Sequence, residues 1–350
     1  MIWRYFLKIR FSLLQLFAVK TTPFSRLIPK LLFLLGVGCL FFNGCAALEE
    51  AQQRREARMR KQREGQYFLL TPSKGNVHVA ADARTAESAH YSITFAEDLK
   101  THEGFDDVAE RRTFAESALG YMESLYYEMN AVFGFQPEHK IHVTLHNLYR
   151  GATNRATTTT EYRYEVSGNA SLKYVTGIQM DFPLAMYNKP TVRVHELTHA
   201  FTNIYFLPTW FNEGLAVLME TEWAKGGLHP KFDSLDVHLK RNMNGLNDLE
   251  DWESHGGQSE LIEWRYRYAY TVVSELRERY GADLYIKVFR LMEADQLHNK
   301  LPVKMPTSFL VYYLNQASGA DLVPFFQDLA FPVQKLTKAD ILQHINQMSQ

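Results

Sequence analysis

VHELTHAFTNIYFLPTWFNEGLAVLME, residues 194–220, sets His195 and His199 four positions apart around Glu196. Glu213 and Glu220 follow, seven apart. Pro190 suits the first turn of a helix and Asn188 suits its cap, so the spacing predicts a helix over about 190–205. On such a helix, residues four apart stack one turn above the other on a single face. Imidazole nitrogens from that pair reach one Zn²⁺ at about 2.0–2.1 Å. Glu196 lies beside the pair and reaches a water in an open position without ligating the ion, which is the place of a general base.

The third ligand decides the class. A histidine ligand six residues after His199 would need Gly at 202 and His at 205, where the chain has Thr202 and Tyr205. A carboxylate ligand needs a helix that turns back. Leu207-Pro208-Thr209 break the first helix and Trp210 opens a second, so Glu213 returns to the same ion. Two histidines and one carboxylate leave the fourth position of a catalytic zinc open. Glu220, two turns beyond Glu213 on the same face, is placed to hydrogen-bond a ligating imidazole.

HELTH followed by WFNEGLA resembles the gluzincin metallopeptidases, most of all the bacterial peptidase MA-like proteins, over about Ile141–Leu291. The resemblance implies a zincin-like α+β domain with a small sheet and a mainly helical C-terminal part. It implies one zinc on His195, His199 and Glu213, with Glu196 as base. Related enzymes take an oxyanion donor from a later helix. LIEWRYRYAYTVVSELRERYGADL offers Tyr266, Tyr268 and Tyr270. The apolar stripe Ile262, Tyr266, Ala269, Val273, Leu276, Tyr280 turns Tyr266 inward, and Tyr266 precedes Leu276 by ten, as in the aminopeptidase-like pattern.

The strand ending GIQMDF leads toward the histidine helix. In similar enzymes an edge strand there pairs with the extended substrate. Aminopeptidases of the group anchor the substrate amine through the glutamate of G-x-M-E-N. Here the text is Gly177-Ile178-Gln179-Met180-Asp181, without that glutamate. Endopeptidase action on a peptide or protein is the resulting expectation. Asp181 as a substitute anchor keeps aminopeptidase action as the alternative. A non-catalytic zinc-containing binding protein and a hydrolase of non-protein amides are the rival readings.

The remaining chain bounds this reading. Its 350 residues carry a formal net charge of −1, which excludes a general electrostatic affinity for nucleic acid. A basic leader (Arg4, Lys8, Arg10, Lys20, Arg26, Lys30) precedes LLFLLGVGCLFFNGC, ending at Cys45. Residues 1–45 resemble a bacterial lipoprotein signal with Cys45 lipidated, although Phe42 stands where Leu, Val or Ile is usual. The resemblance implies a membrane-anchored, periplasm-facing protein of the cell envelope. An uncleaved anchor helix over about Leu31–Leu48 and a free periplasmic form fit the same segment. Both cysteines, Cys39 and Cys45, lie here, so the body has neither disulfide nor thiolate ligand.

Residues 46–66 form a charged tether, and the peptidase-like domain spans 67–350, with zinc helices over 190–223 and helices over 261–350. Tyr67–Leu70, Val77–Ala80, Ile141–Leu145 and Leu172–Phe182 pattern as strands, and Phe114–Phe133 as a long helix. Tyr149–Ala170 pattern as a polar loop. His142 and His146 share a strand face about 13 Å apart, too far for one ion, and read as solvent-facing. Asp283–Met292, Ser308–Asn315 and Ala339–Met348 have helical spacing.

Overall fold

The alternation in IHVTL puts Ile141, Val143 and Leu145 on one face, and that face is the floor of the core. All three side chains are buried, as are their neighbours Tyr91, Ile93 and Phe95 on one side and Ile178, Met180 and Phe182 on the other. This is a computed structural model that describes residues 77–101, 105, 107–147, 155–167, 170–224, 229–236, 249, 259–300 and 304–348. Cys45, the leader, the charged tether and the Tyr67–Leu70 strand lie outside the described residues. Among the described residues, no helix is long and apolar enough to cross a membrane.

The strands are β1 (His78–Val79), β2 (Thr85–Glu87), β3 (Tyr91–Phe95), β4 (Ile141–His146), β5 (Thr157–Ser167) and β6 (Ala170–Pro183). They form one mixed sheet in the order β1-β2-β3-β4-β6-β5. β3, β4 and β6 run parallel, while β5 pairs antiparallel with β6 at the edge. Helices accompany this sheet, and the fold is α+β.

The crossover from β3 to β4 is made by α1 (Val108–Phe133). It starts earlier than its apolar spacing predicts because Asp107 caps it, accepting from the amides of Ala109 and Glu110. Its buried stripe includes Ala118, Met122, Leu125, Met129 and Phe133. Gly134 ends it at φ 79°, where a Cβ would also meet Ile286 at 3.0 Å.

The expected loop over Tyr149–Ala170 is largely a strand. β5 pairs with β6 residue by residue from Thr157↔Asp181 to Ser167↔Ala170. As an edge strand it has no buried apolar face, so its TTTTEYRYEVS text shows no alternation of apolar and polar residues. The β-branched threonines and the two-residue Gly168-Asn169 link were the available signals. A β-bulge interrupts the ladder: Glu161 faces Gly177 but Tyr162 faces Val175, leaving Thr176 over. The extra residue reverses which side chains of β6 point inward. Ile178 and Met180 point in on one side of the bulge, and Val175 and Lys173 on the other.

A short helix, Leu184–Tyr187, precedes α2 (Pro190–Thr202). Asn188 closes that short helix rather than capping α2. Lys189 stands at the N-cap of α2 without a side-chain bond, and Pro190 opens it. The predicted end at Tyr205 is reached through a 3₁₀ turn, Asn203–Tyr205. Phe206 then adopts φ 49°, Pro208 breaks the run, and α3 (Thr209–Trp223) packs back against α2.

After α3 come α4 (Ser259–Tyr280), α5 (Leu284–Ala294), α6 (Thr307–Ser318) and α7 (Lys338–Met348), matching the helical spacing of the C-terminal part. Gly214 lets α3 and α4 touch: a Cβ there would lie 2.7 Å from Val273 Cγ2 and 2.8 Å from the Ala269 carbonyl oxygen. The base of α3 is fixed by Trp210, which packs on Phe326 and Phe331 and donates to Thr307 at 3.0 Å.

Candidate metal centre

α2 carries His195 and His199 on one face, and the return of α3 brings Glu213 against them. His195 Nε2 lies 3.0 Å from His199 Nε2 and 3.1 Å from Glu213 Oε2, and His199 Nε2 lies 3.4 Å from the same oxygen. Ligands about 2.0–2.1 Å from a tetrahedral ion are separated by about 3.3 Å. The three atoms therefore fit one small ion. Glu213 Oε2 is also buried without an aligned hydrogen-bond donor among the described residues, as befits an oxygen reserved for a cation. This buried His195/His199/Glu213 group could hold a metal ion.

The electrostatics point the same way. Burial alone would depress the His195 pKa, but Glu213 and Glu220 outweigh it and hold it well above the ordinary value. Burial alone would raise Glu213, yet His199 and His195 draw it well below the usual carboxylate range. Buried carboxylates surround nitrogen donors, and the site favours positive charge. Glu220, 2% exposed, places Oε1 2.6 Å from His195 Nδ1. That contact leaves Nε2 free to face His199 and Glu213.

Glu196 faces the open side. Together with the three donors it lines a cavity of about 860 Å³, bounded by β5 at Thr157–Thr159 and by α4 at Ile262, Glu263 and Tyr266. Thr158 Oγ1 lies 2.7 Å from Glu196 Oε2 and 2.9 Å from the Glu196 carbonyl oxygen.

The stripe on α4 separates its three tyrosines. Tyr266 lines the cavity, its ring 6.0 Å from that of His195. Tyr268 and Tyr270 are buried and are not among the cavity's lining residues. Burial, reinforced by the Glu213, Glu196 and Glu220 carboxylates, raises the Tyr266 pKa far above a free phenol. The group stays a protonated donor.

Thr158 and His229 are among the lining residues that carried no motif. Thr158 was hidden in a strand read as loop. His229, an isolated histidine, stacks on Tyr266 with ring centroids 4.8 Å apart and planes 7° apart. Burial lowers its pKa, keeping the ring neutral.

Asp181 does not line the cavity. It pairs with His146 Nε2 at 2.9 Å, on the same face of the sheet as His142, which contacts Ser92. β6, expected to offer an edge, is interior; among the described strands the outer position belongs to β5. No family model, no curated protein and no solved structure matches this chain.

Proposed function

We propose that this protein is a zinc-dependent peptidase of the gluzincin kind, with a zincin-like domain, hydrolysing internal peptide bonds. The observation that carries the reading is the conjunction of a three-donor metal site with Glu196, a carboxylate that ligates nothing and faces the same cavity. Zinc held by His195, His199 and Glu213 would supply Lewis acidity toward a scissile carbonyl and toward water.

The protein's own groups do the rest. Glu196 takes a proton from the attacking water and delivers it to the leaving amine. Thr158 holds one oxygen of Glu196 and so aims the other. Tyr266, kept protonated, donates to the oxyanion that develops on the carbonyl. Glu220 orients His195. β5 lines the cavity and is the outermost of the described strands, an edge suited to an extended backbone. With Asp181 engaged by His146 outside the cavity, the amine anchor of an aminopeptidase lacks support, and internal cleavage is favoured. Anchoring to a bacterial envelope membrane through Cys45 or an N-terminal helix belongs to the same proposal and rests on the leader sequence alone.

Mass-spectrometric mapping of a diverse peptide pool, run beside Glu196→Gln and a chelated sample, tests it. Internal cuts lost in both controls are the expected result. A folded, zinc-loaded protein that cuts nothing in such a pool would overturn it and return the weight to a binding role.

A further inference from the structure

Beyond Thr158 and Thr159 a second cavity, of about 610 Å³, opens from the first; Asn203 and Asn212 line both. Its walls are Thr160 and Tyr162 from β5, and Phe206 and Leu207 from the bend between α2 and α3, with Lys304 at its side. Tyr162 and Phe206 meet edge to face with centroids 4.9 Å apart, and the Tyr162 hydroxyl donates to the Asn203 carbonyl. The lining surface is mostly apolar, from Tyr162, Phe206 and Leu207, and the polar Thr158, Thr159, Asn203 and Asn212 are the residues it shares with the metal cavity.

Three features mark this wall as built. Phe206 is a bulky residue at φ 49°, a conformation that costs roughly 1–3 kcal/mol and persists where its surroundings over-determine it. It is held by its amide to the Asn203 carbonyl and by the Met305 amide to its own carbonyl. Behind the two rings lies Lys173, 1% exposed and absent from the cavity's lining. Its Nζ sits 3.5 Å from the Phe206 centroid and 4.9 Å from that of Tyr162, and donates to the Ile204 carbonyl at 2.8 Å. Among the described residues no carboxylate lies within ion-pair distance of it. The β5–β6 bulge is what turns Lys173 inward at this point.

A cation behind an aromatic ring draws on the π density that would otherwise attract a second cation in front. Lys304 adds charge of the same sign beside the cavity. The space is large enough for an aromatic side chain, its walls favour apolar surface, and below about pH 7, where Lys173 is protonated, both cations oppose a third.

We propose that this second cavity is the subsite that selects the substrate: it takes a bulky uncharged side chain, aromatic above all, next to the scissile bond and rejects lysine and arginine. Tyr162 and Phe206 are its specificity-determining walls, and Lys173 is a positioning residue behind them. This rests on the peptidase reading of the adjoining metal centre.

Phosphinic pseudopeptides test it, because they bind zinc without being turned over and carry a side chain on each side of the zinc-binding group. Their dissociation constants are to be measured on the zinc-loaded full chain with benzyl, methyl, butyl and aminobutyl groups placed at each side in turn. At one of the two positions, benzyl is expected to bind at least about tenfold more tightly than methyl. There butyl should exceed aminobutyl by a similar factor.

Phe206→Gly, which removes the ring and relieves the left-handed backbone, should flatten the benzyl preference. Lys173→Met, close in shape but uncharged, should raise tolerance of aminobutyl while leaving benzyl over methyl largely intact. A merely structural lysine would weaken all probes alike. Zinc content and thermal unfolding of each variant show that it is folded.

Equal binding of benzyl and methyl at both positions overturns the subsite, as does failure of every probe to bind the zinc-loaded chain. If the discrimination holds but no peptide is cut, the subsite stands and the peptidase activity falls. Peptide cleavage without discrimination leaves the activity and removes the subsite.

Discussion

Thr158 and Glu196 are joined across two elements: the hydroxyl on the edge strand lies within hydrogen-bond distance of both the side-chain and main-chain oxygens of the glutamate on α2. The side chain proposed as base is thus set by the strand proposed to bind substrate. Thr158→Val keeps the β-branched shape and removes the hydroxyl. Hydrogen bonds to charged groups contribute about 1.5–3 kcal/mol, so kcat is expected to fall roughly tenfold to a hundredfold with zinc content unchanged. Steady-state kinetics beside metal analysis checks this; a loss of zinc, or an unchanged kcat, contradicts it.

Glu220 contacts His195 from the side opposite the metal position, so its removal should be felt as affinity for the ion. Glu220→Gln is expected to weaken zinc binding by about 10–100-fold, as measured by competition with a chromophoric chelator. Glu196→Gln should bind zinc as tightly as the parent and turn nothing over. Equal zinc affinity in the parent and Glu220→Gln would refute the orienting role.

Tyr266 is expected to act through its proton. Tyr266→Phe should reduce kcat by about 10²–10³-fold with little change in KM, since the donated bond forms in the transition state. Burial and the three carboxylates hold the phenol protonated beyond the range of a free tyrosine. The parent should therefore show no loss of rate near pH 10 that is absent from Tyr266→Phe. A pH–rate comparison of the two decides it.

The contact at Gly214 admits no side chain. The Ala269 carbonyl, 2.8 Å from the position of an added methyl, is backbone and cannot swing aside. Gly214→Ala must push α3 from α4, and with it Glu213 from the histidines. Destabilisation of about 1–3 kcal/mol and weaker zinc binding are expected together, read by thermal unfolding with and without zinc. Unfolding unchanged from the parent would mean the helices part at no cost.

Burial lowers the Lys173 pKa to about 7 from an ordinary 10.5. Between those values the unfolded chain binds more protons than the folded one, so this residue's contribution to stability improves as pH rises. Below about pH 7 the folded protein carries the full cost of a buried charge. His298 is the titratable neighbour, its pKa lowered mainly by burial and also by Lys173. Lys173→Met should therefore stabilise the protein more at pH 6 than at pH 9, by on the order of 2 kcal/mol in denaturant unfolding. The opposite ordering would show that the ring faces more than compensate the charge.

How much of this could be read from the residues differs by element. His195, His199, Glu213 and Glu220 lie on two helices, where spacing of four and seven translates directly into a shared face. The stripe on α4 turned Tyr266 toward the site among three neighbouring tyrosines for the same reason. β5 was misread because an edge strand beside a polar cleft buries no apolar face, and period-two logic had nothing to detect. Thr158 and the subsite wall at Tyr162 disappeared with it. His229 comes from a segment without periodicity, and its position depends on how the chain returns from α3 to α4. Asp181 looked toward the site only while β6 was taken for an edge.

The leftover residue in the β5–β6 ladder, Thr176, acts like a frameshift in the hairpin. Toward Phe182 one parity of β6 faces the core, and toward Ala170 the other. Deleting Thr176 would leave Glu161 opposite Gly177 and Tyr162 opposite Val175, so the ladder would become regular with Lys173 still turned inward. The bulge thus works as a shock absorber for chain length: the hairpin carries one residue more on β6 than on β5, and neither the lysine behind the selecting wall nor the core face near Phe182 loses its place.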